Sequence, residues 1–464
     1  MTSMDNYTRS FIESARERHN IFHEFDETQR WLKSLQRQAG YEVEQVPLEV
    51  LDQWYFETDT GNLKHRSDKF FSIVGLDCTP VYADAAPWQQ PIISQPEVGI
   101  LGILTKEFAG VRYFLMQAKM EPGNINKVQI SPTLQATYSN YTRVLKGKSP
   151  AYLGYFLDAN ANVIRSQFQS ETGSRFFRKF NNNILLDLAT EVEVLPGYRW
   201  LTLYELQCLM AMDNAVNMDS RSVLSNVPYN GADFGNKAQA SAFFGSISCA
   251  PDAAYTSQQE LRDWLVSMRA RYSIDTRQIP LRSVKDWVRD AWGIHHVSRN
   301  YFTIVGVRVE AMEREIPRWS QPLLKHQGLG LAGFLCANIK GVLHFLMQAK
   351  PEPGIVGSVE LGPTVSVSDY RNRLDAMGTI PFMEYFLQPG GAEILHSSIQ
   401  SEEGGRFWNL CNHYLVIKVP TVDALRGIER YEWMTLEQLQ RFSQGESMVN
   451  SEARTLLSCL QYFP

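Results

Sequence analysis

The chain has no apolar run approaching the eighteen or so residues that cross a bilayer as a helix, and its polar start, Met1-Thr-Ser-Met-Asp-Asn-Tyr-Thr-Arg-Ser10, lacks the apolar core of a signal peptide. A soluble, cytoplasmic protein is expected, with no membrane partner. Its six cysteines (Cys78, Cys208, Cys249, Cys336, Cys411, Cys459) are scattered without C-x-x-C spacing. Neither a zinc site nor a redox pair is expected, and reduced thiols packed as small apolar groups fit better. There is no basic surplus, since 45 Lys and Arg stand against 50 Asp and Glu, so a nucleic acid is not the expected partner. No Walker loop, G-x-S-x-G elbow or H-E-x-x-H occurs, and the one G-x-G-x-x-G, Gly328-Leu-Gly-Leu-Ala-Gly333, follows Lys325-His-Gln rather than an apolar strand. An acidic helix of the R-E-x-x-E-E type is missing too, which weighs against metal-assisted hydrolysis. No metal and no cofactor are expected. What remains is an ordinary globular composition, 44% hydrophobic and 20% charged, over 464 residues, enough for two or three domains.

A duplication organises the chain. Phe114-Leu-Met-Gln-Ala-Lys119 recurs as Phe345-Leu-Met-Gln-Ala-Lys350, an offset of 231 that also joins His65 to His296, Trp88 to Trp319 and Gln169-Ser-Glu171 to Gln400-Ser-Glu402. At an offset of 233, Trp31 meets Trp264 and Trp200 meets Trp433. The reading is therefore two units, residues 1–224 and 257–464, with the Gly-, Ser-, Ala- and Asn-rich stretch 225–256 as linker. Asp26 is placed to cap a helix over Trp31–Gln38, and capping boxes open at Ser257/Glu260, Thr202/Glu205 and Thr435/Gln438. Strands are expected at 70–75, 98–104 and 111–119. Each unit is thus α+β, a mixed sheet with flanking helices.

Strand alternation places Gln117 and Lys119 on one face, and Gln129, Ser131, Thr133, Gln135 and Thr137 on one face of the next run, with Pro132 confined to an edge or bulge. Two polar faces joined by Glu121-Pro-Gly-Asn124 fit a pocket for a polar, hydroxylated or phosphorylated ligand; the same pattern fits an ordinary solvent-facing sheet side. The second unit has Glu360, Gly362, Thr364, Ser366 and Ser368 at the matching positions, which points to the first unit as the working one. Asn140-Tyr-Thr-Arg143 suits sugar hydroxyls and phosphate, or closes the pocket wall. Trp88 and Trp319 are stacking candidates or buried turn residues. His65 and His296 are candidate bases or oriented structural histidines. Arg175 and Arg406 bind phosphate or pair with Glu171 and Glu402.

Trp88-Gln-Gln-Pro-Ile-Ile, Gln95-Pro-Glu-Val-Gly-Ile-Leu-Gly, Phe114-Leu-Met-Gln-Ala-Lys-Met-Glu-Pro-Gly-Asn124 and Gln129-Ile-Ser-Pro-Thr-Leu-Gln-Ala-Thr-Tyr-Ser-Asn-Tyr-Thr-Arg143 closely resemble the NDP-hexose 2,3-dehydratases of deoxysugar biosynthesis, over nearly the whole chain. The resemblance implies a homodimer whose subunit holds two Nudix-like domains without the Nudix metal box, and two sugar-nucleotide pockets of which one is catalytic. It implies a dTDP-linked 4-keto-6-deoxyhexose as substrate, loss of its C2 hydroxyl, no redox cofactor, and a downstream 3-ketoreductase. Such chemistry needs a base at C3, an acid at the C2 hydroxyl and a cation or donor at the C4 oxygen. On this basis Lys119 stabilises the enolate, Glu121 or His65 is the base, and Tyr141 is the acid. Arg143 and Arg175 hold the diphosphate. Trp88, Gln117, Asn124, Gln129, Ser131, Thr133, Gln135, Thr137 and Asn140 are sugar or base contacts.

Two departures bear on the pockets. Arg314-Glu315 precedes Trp319, whereas Ala83-Asp84 precedes Trp88, so Arg314 and Trp319 join the candidates and the working pocket borrows from the second unit or lies there. The second unit's Pro363-Thr-Val-Ser-Val-Ser-Asp369 lacks the glutamine of the first, consistent with a decayed site. The rival readings are a metal-dependent nucleotide-sugar hydrolase and an inactive nucleotide-sugar sensor.

Overall fold

The local signals become elements much as expected. Capping boxes open the helices Leu203–Met210, Gln258–Arg271 and Leu436–Ser443, each with the Ser or Thr hydroxyl accepting the amide three residues on. The expected strands appear as Ser72–Pro80, Gly99–Phe108 and Val111–Met120. One expectation is corrected. The helix Phe25–Gln38 begins before Asp26, which lies in its first turn and favours it through the helix dipole rather than as a cap. Inside the stretch expected to be linker, Ala242–Ile247 is a helix with Phe243, Phe244 and Ile247 buried. The computed structural model describes residues 3–38, 40–83, 85–137, 149–229, 240–311, 317–326, 328–370, 380–420, 427–445 and 448–463.

Four sheets form among the described residues: two of seven strands, one of six and one of five. Each seven-stranded sheet mixes parallel and antiparallel pairs, as where Gly99–Phe108 runs parallel to Phe180–Asp187 and antiparallel to Val111–Met120. The architecture is mixed α/β. In the first seven-stranded sheet the central pair splays. Val111–Met120 leaves its partner to take up Val128–Ser131, while Gly99–Phe108 takes up Leu134–Ala136. Pro132 and Thr133 occupy the break between these short strands, where a missing amide hydrogen does no harm. Thr133 closes the apex: its hydroxyl accepts the Leu104 amide (2.9 Å) and donates to the Leu115 carbonyl. Thr364 repeats this with Leu335 and Leu346.

The two repeats exchange strands. Tyr41–Val46, from the first, pairs along its length with Thr303–Ala311 of the second; Ile274–Ile279, from the second, pairs with Ser72–Pro80 of the first. The six- and five-stranded sheets pack face to face over one apolar core, where Phe176 and Phe407, equivalent residues of the two repeats, meet edge to face at 5.9 Å. A second core joins the helices to the inner faces of both seven-stranded sheets, from Phe114 and Met116 to Phe345 and Met347. Backbone bonds stitch the repeats together reciprocally: Gly123 donates to Gly404 (2.7 Å) and Gly354 to Gly173 (2.7 Å).

Candidate active site

Strand exchange has a direct consequence for the polar clefts, each of which is assembled from both repeats. The first is walled by the sheet residues Gly99, Leu101, Gln135 and Asn181, by Thr137, Glu171 and Lys179, and by Asp219 on the helix Met218–Leu224; Glu403 and Arg406 enter from the second repeat. Arg406 is held in place by its surroundings. Its Nε and Nη2 donate to Gln95 Oε1 (3.3 and 3.0 Å), Nη1 donates to the Gly405 carbonyl (2.8 Å), and its guanidinium lies 4.3 Å over the Phe71 ring. The Gly405 carbonyl also takes Gln321 Nε2 (2.8 Å), and Gln321 Oε1 accepts Trp319 Nε1 (3.0 Å).

Behind Gln135 stands an ion pair, Lys119 Nζ to Glu121 Oε1 at 3.5 Å. Gln135 Nε2 donates to Glu121 Oε1 (2.8 Å), and Asn217 Nδ2 reaches Glu121 Oε2, Ser131 Oγ and Gln135 Oε1, each at 3.4 Å. The carboxyls of this cleft repel one another in a buried site. Burial, then Glu403, Glu121 and Glu171, push Asp219 well up, against the pull of Lys119. Burial and Glu403 raise Glu171, and burial raises Glu403 against Arg406. Lys179 is lowered by burial. The four carboxyls are interleaved with Lys119, Lys179 and Arg406, and among the described residues no three His, Cys, Asp or Glu side chains are grouped as metal ligands.

The second cleft repeats the plan with the repeats interchanged. Thr172, Ser174 and Arg175 enter from the first repeat to meet His326, Ser368, Glu402 and Glu452. Arg175 donates to His326 Nε2 (3.3 and 3.0 Å) and lies 4.5 Å over Phe302. Burial lowers Arg175 to about 10, and burial plus Arg175 hold His326 well below its ordinary value. Here the lysine is tied down, Lys350 Nζ lying 2.6 Å from Glu452, 3.3 Å from Glu352 and 3.0 Å from Ser366 Oγ. Burial alone would lower it, and the two glutamates outweigh burial.

A model of the NDP-hexose 2,3-dehydratase family matches the chain twice, over residues 25–227 and 258–460. The chain belongs to the NDP-hexose 2,3-dehydratase family. It is 39% identical to the dTDP-4-dehydro-6-deoxy-alpha-D-glucopyranose 2,3-dehydratase of Saccharopolyspora spinosa over 98% of this chain and 95% of that one. With the enzymes of the same name from Amycolatopsis orientalis and Streptomyces violaceoruber it shares 40%, covering 94% and 91% of this chain and 90% and 94% of theirs. The activity is that of a 2,3-dehydratase, a hydro-lyase. Among the described residues no helix is long and apolar enough to cross a membrane.

In this dehydratase the expected site residues scatter into groups. Lys119, Glu121, Gln135 and Thr137 gather at the first cleft. Gln129 and Ser131 are fully buried; Gln129 exchanges hydrogen bonds with Ser401 Oγ of the other repeat (2.8 and 2.9 Å) and lies behind the sheet face rather than on it. Thr133 serves the sheet apex. Asn124 lies buried in the turn facing Gly404, donating to the Lys127 carbonyl (3.4 Å). Gln117 sits opposite Ser131 in the sheet. His65 is in neither cleft: it packs between Trp54 and Phe70 and bonds Ser67 Oγ (2.8 Å), the oriented structural histidine among its two readings. Trp88 donates to Gln90, which donates to the Ser174 carbonyl beside Arg175. The tryptophans thus prop the two arginine turns. Arg175 belongs to the second cleft, and its equivalent Arg406 to the first. Asn140, Tyr141, Arg143 and Arg314 lie outside the described residues. Asp219, Lys179 and Glu403 escaped the sequence reading, although the repeat held a signal: their counterparts are Glu452, Leu410 and Thr172, so all three differ between the copies.

Proposed function

We propose that this protein removes the C2 hydroxyl of dTDP-4-keto-6-deoxyglucose, giving the 3,4-diketo-2,6-dideoxy sugar nucleotide, and that the first cleft is where it does so. The observation that carries this reading is the ion pair of Lys119 and Glu121 at 3.5 Å beside a cleft that also holds Arg406 and Lys179. The C4 ketone acidifies the C3 proton. Glu121 takes that proton, Lys119 offsets the charge that builds on the C4 oxygen, and the C2–O bond then breaks. Arg406 and Lys179 supply positive charge for the diphosphate, with Arg143. Gln135 and Thr137 contact the sugar, with Asn140. The second cleft, whose lysine is neutralised by two glutamates, is taken as non-catalytic, with Arg175 as its anion contact. The names of the three relatives, near 40% identity over almost their whole lengths, support the substrate.

The same reading takes residues 1–224 and 257–464 as two Nudix-like units of a cytoplasmic homodimer whose product a 3-ketoreductase consumes. The test is incubation with dTDP-4-keto-6-deoxyglucose in deuterated water, without and then with divalent metal, following the C2 and C3 protons by NMR. Metal-independent elimination with exchange at C3 is expected. Metal-dependent release of the nucleotide would support a hydrolase instead, and binding without turnover a sensor.

A further inference from the structure

The dehydration needs an acid at the C2 oxygen, and the two clefts differ at one carboxyl in a way that identifies it. In the second cleft Glu452 is saturated: Oε2 accepts from Lys350 Nζ (2.6 Å) and Asn450 Nδ2 (3.1 Å), and Oε1 from Ser366 Oγ (2.8 Å). The counterparts in the first cleft are Asp219 for Glu452, Lys119 for Lys350, Asn217 for Asn450 and Gln135 for Ser366. Every one of those donors has turned to Glu121. Asp219, one methylene shorter, lines the cleft at 4% exposure, and its carboxyl has no hydrogen-bond or ion-pair partner among the described residues. Glu403, Glu121 and Glu171 face it with like charge, and Lys119 opposes them. A buried carboxyl without donors and among carboxylates holds its proton. Glu121, which accepts all three of those donors, is placed to receive a proton; Asp219, which accepts none among the described residues, is placed to give one.

We propose that Asp219 is the general acid, giving its proton to the C2 oxygen as the C2–O bond breaks; this rests on the dehydratase reading of the first cleft. Glu121 removes the C3 proton, and those electrons form the C2=C3 bond. The C2–O electrons leave with the oxygen, which takes the Asp219 proton and departs as water. The resulting 3-hydroxy enone ketonises when C2 gains a proton and O3 loses one. Nothing is oxidised or reduced overall, and no co-reactant is needed.

The test compares the natural substrate with its 2-deoxy-2-fluoro analogue, since fluoride leaves without protonation. Asp219→Asn should lower kcat for water loss on the order of 100-fold or more, while keeping C3 exchange in deuterated water and elimination of fluoride near the parent rates. Asp219→Glu should fold, pair with Lys119 as Glu452 pairs with Lys350, and show the same split. Melting curves of both variants confirm the fold. Equal losses on both substrates, undiminished water loss in either variant, or the split appearing in Tyr141→Phe instead would overturn the proposal. Absence of exchange and elimination in the unaltered protein would overturn the dehydratase reading itself, a distinguishable failure.

Discussion

Replacing Gly123 by alanine tests how the two repeats meet. Gly123 donates its amide to the Gly404 carbonyl (2.7 Å) and accepts the Asn409 amide (2.9 Å), so the ridge carrying Glu121 lies directly against residues 403–409 of the other repeat. A Cβ at Gly123 would overlap the Phe407 carbonyl oxygen and sit 2.7 Å from its carbon and 2.8 Å from the Gly404 oxygen, well inside the ~3.5 Å of ordinary contact. All three are backbone atoms, so no side-chain rotation relieves the clash and the two turns must part. Two buried backbone bonds are then lost at about 1 kcal/mol each, and a carbonyl left without a donor adds about 1–3 kcal/mol. The expected cost is about 3–5 kcal/mol, read as a lower midpoint in thermal and urea unfolding. Turnover should fall as well, because Glu121 moves away from Glu403 and Arg406. Gly354→Ala should cost a similar amount, since its Cβ meets the Phe176 and Gly173 carbonyls in the mirrored junction. Gly154 has no atom within 4 Å of a built Cβ, and Gly154→Ala is the control. An unfolding midpoint for Gly123→Ala equal to that of Gly154→Ala would refute the reasoning.

Three further outcomes are expected. Lys119→Ala should lower kcat on the order of 100-fold or more while leaving the melting midpoint close to the parent; an unchanged rate would sink the enolate role. Arg221, fully buried, donates to the Val216 carbonyl (2.6 Å) and, across the repeats, to the Ser401 carbonyl (2.5 Å); Arg221→Met should destabilise by about 2–5 kcal/mol in urea. Burial holds the Glu360 carboxyl up at about 7, against the bond from Ser170. Its native form therefore keeps a proton that the unfolded chain releases above ~4.3, and that contribution to stability is lost as pH rises to about 7. Glu360→Gln should raise the melting midpoint at pH 8, with the gain fading by pH 4.5.

Features carried by neighbours along the chain were legible in the sequence. The three capping boxes form as written because each is satisfied within four residues, and the run from Val111 to Met120 is a strand because its alternation needs no partner to be recognised. Facing direction was harder. Gln129, Ser131 and Thr133 alternate with apolar residues, yet the strand breaks at Pro132 and each side chain is spent on the sheet or on the other repeat. The strand exchange left no mark at all, since a repeat records likeness between two segments and not which sheet each one joins. Asp219 was hidden for a similar reason: an aspartate opposite a glutamate looks conservative until the partners of each are known.

The exchange also bears on how the two halves of this gene can change. Glu403 and Arg406 are encoded in the second half and line the first cleft, beside Lys179 from the first half. On the proposed reading, a second cleft relieved of chemistry frees only the residues that face it alone. Ser366 and Ser368 have departed from Gln135 and Thr137, whereas Gln400-Ser-Glu402 and Arg406-Phe407 still match Gln169-Ser-Glu171 and Arg175-Phe176 letter for letter. Each half thus carries part of the other's cleft, and a substitution in either alters a wall that the two halves build together.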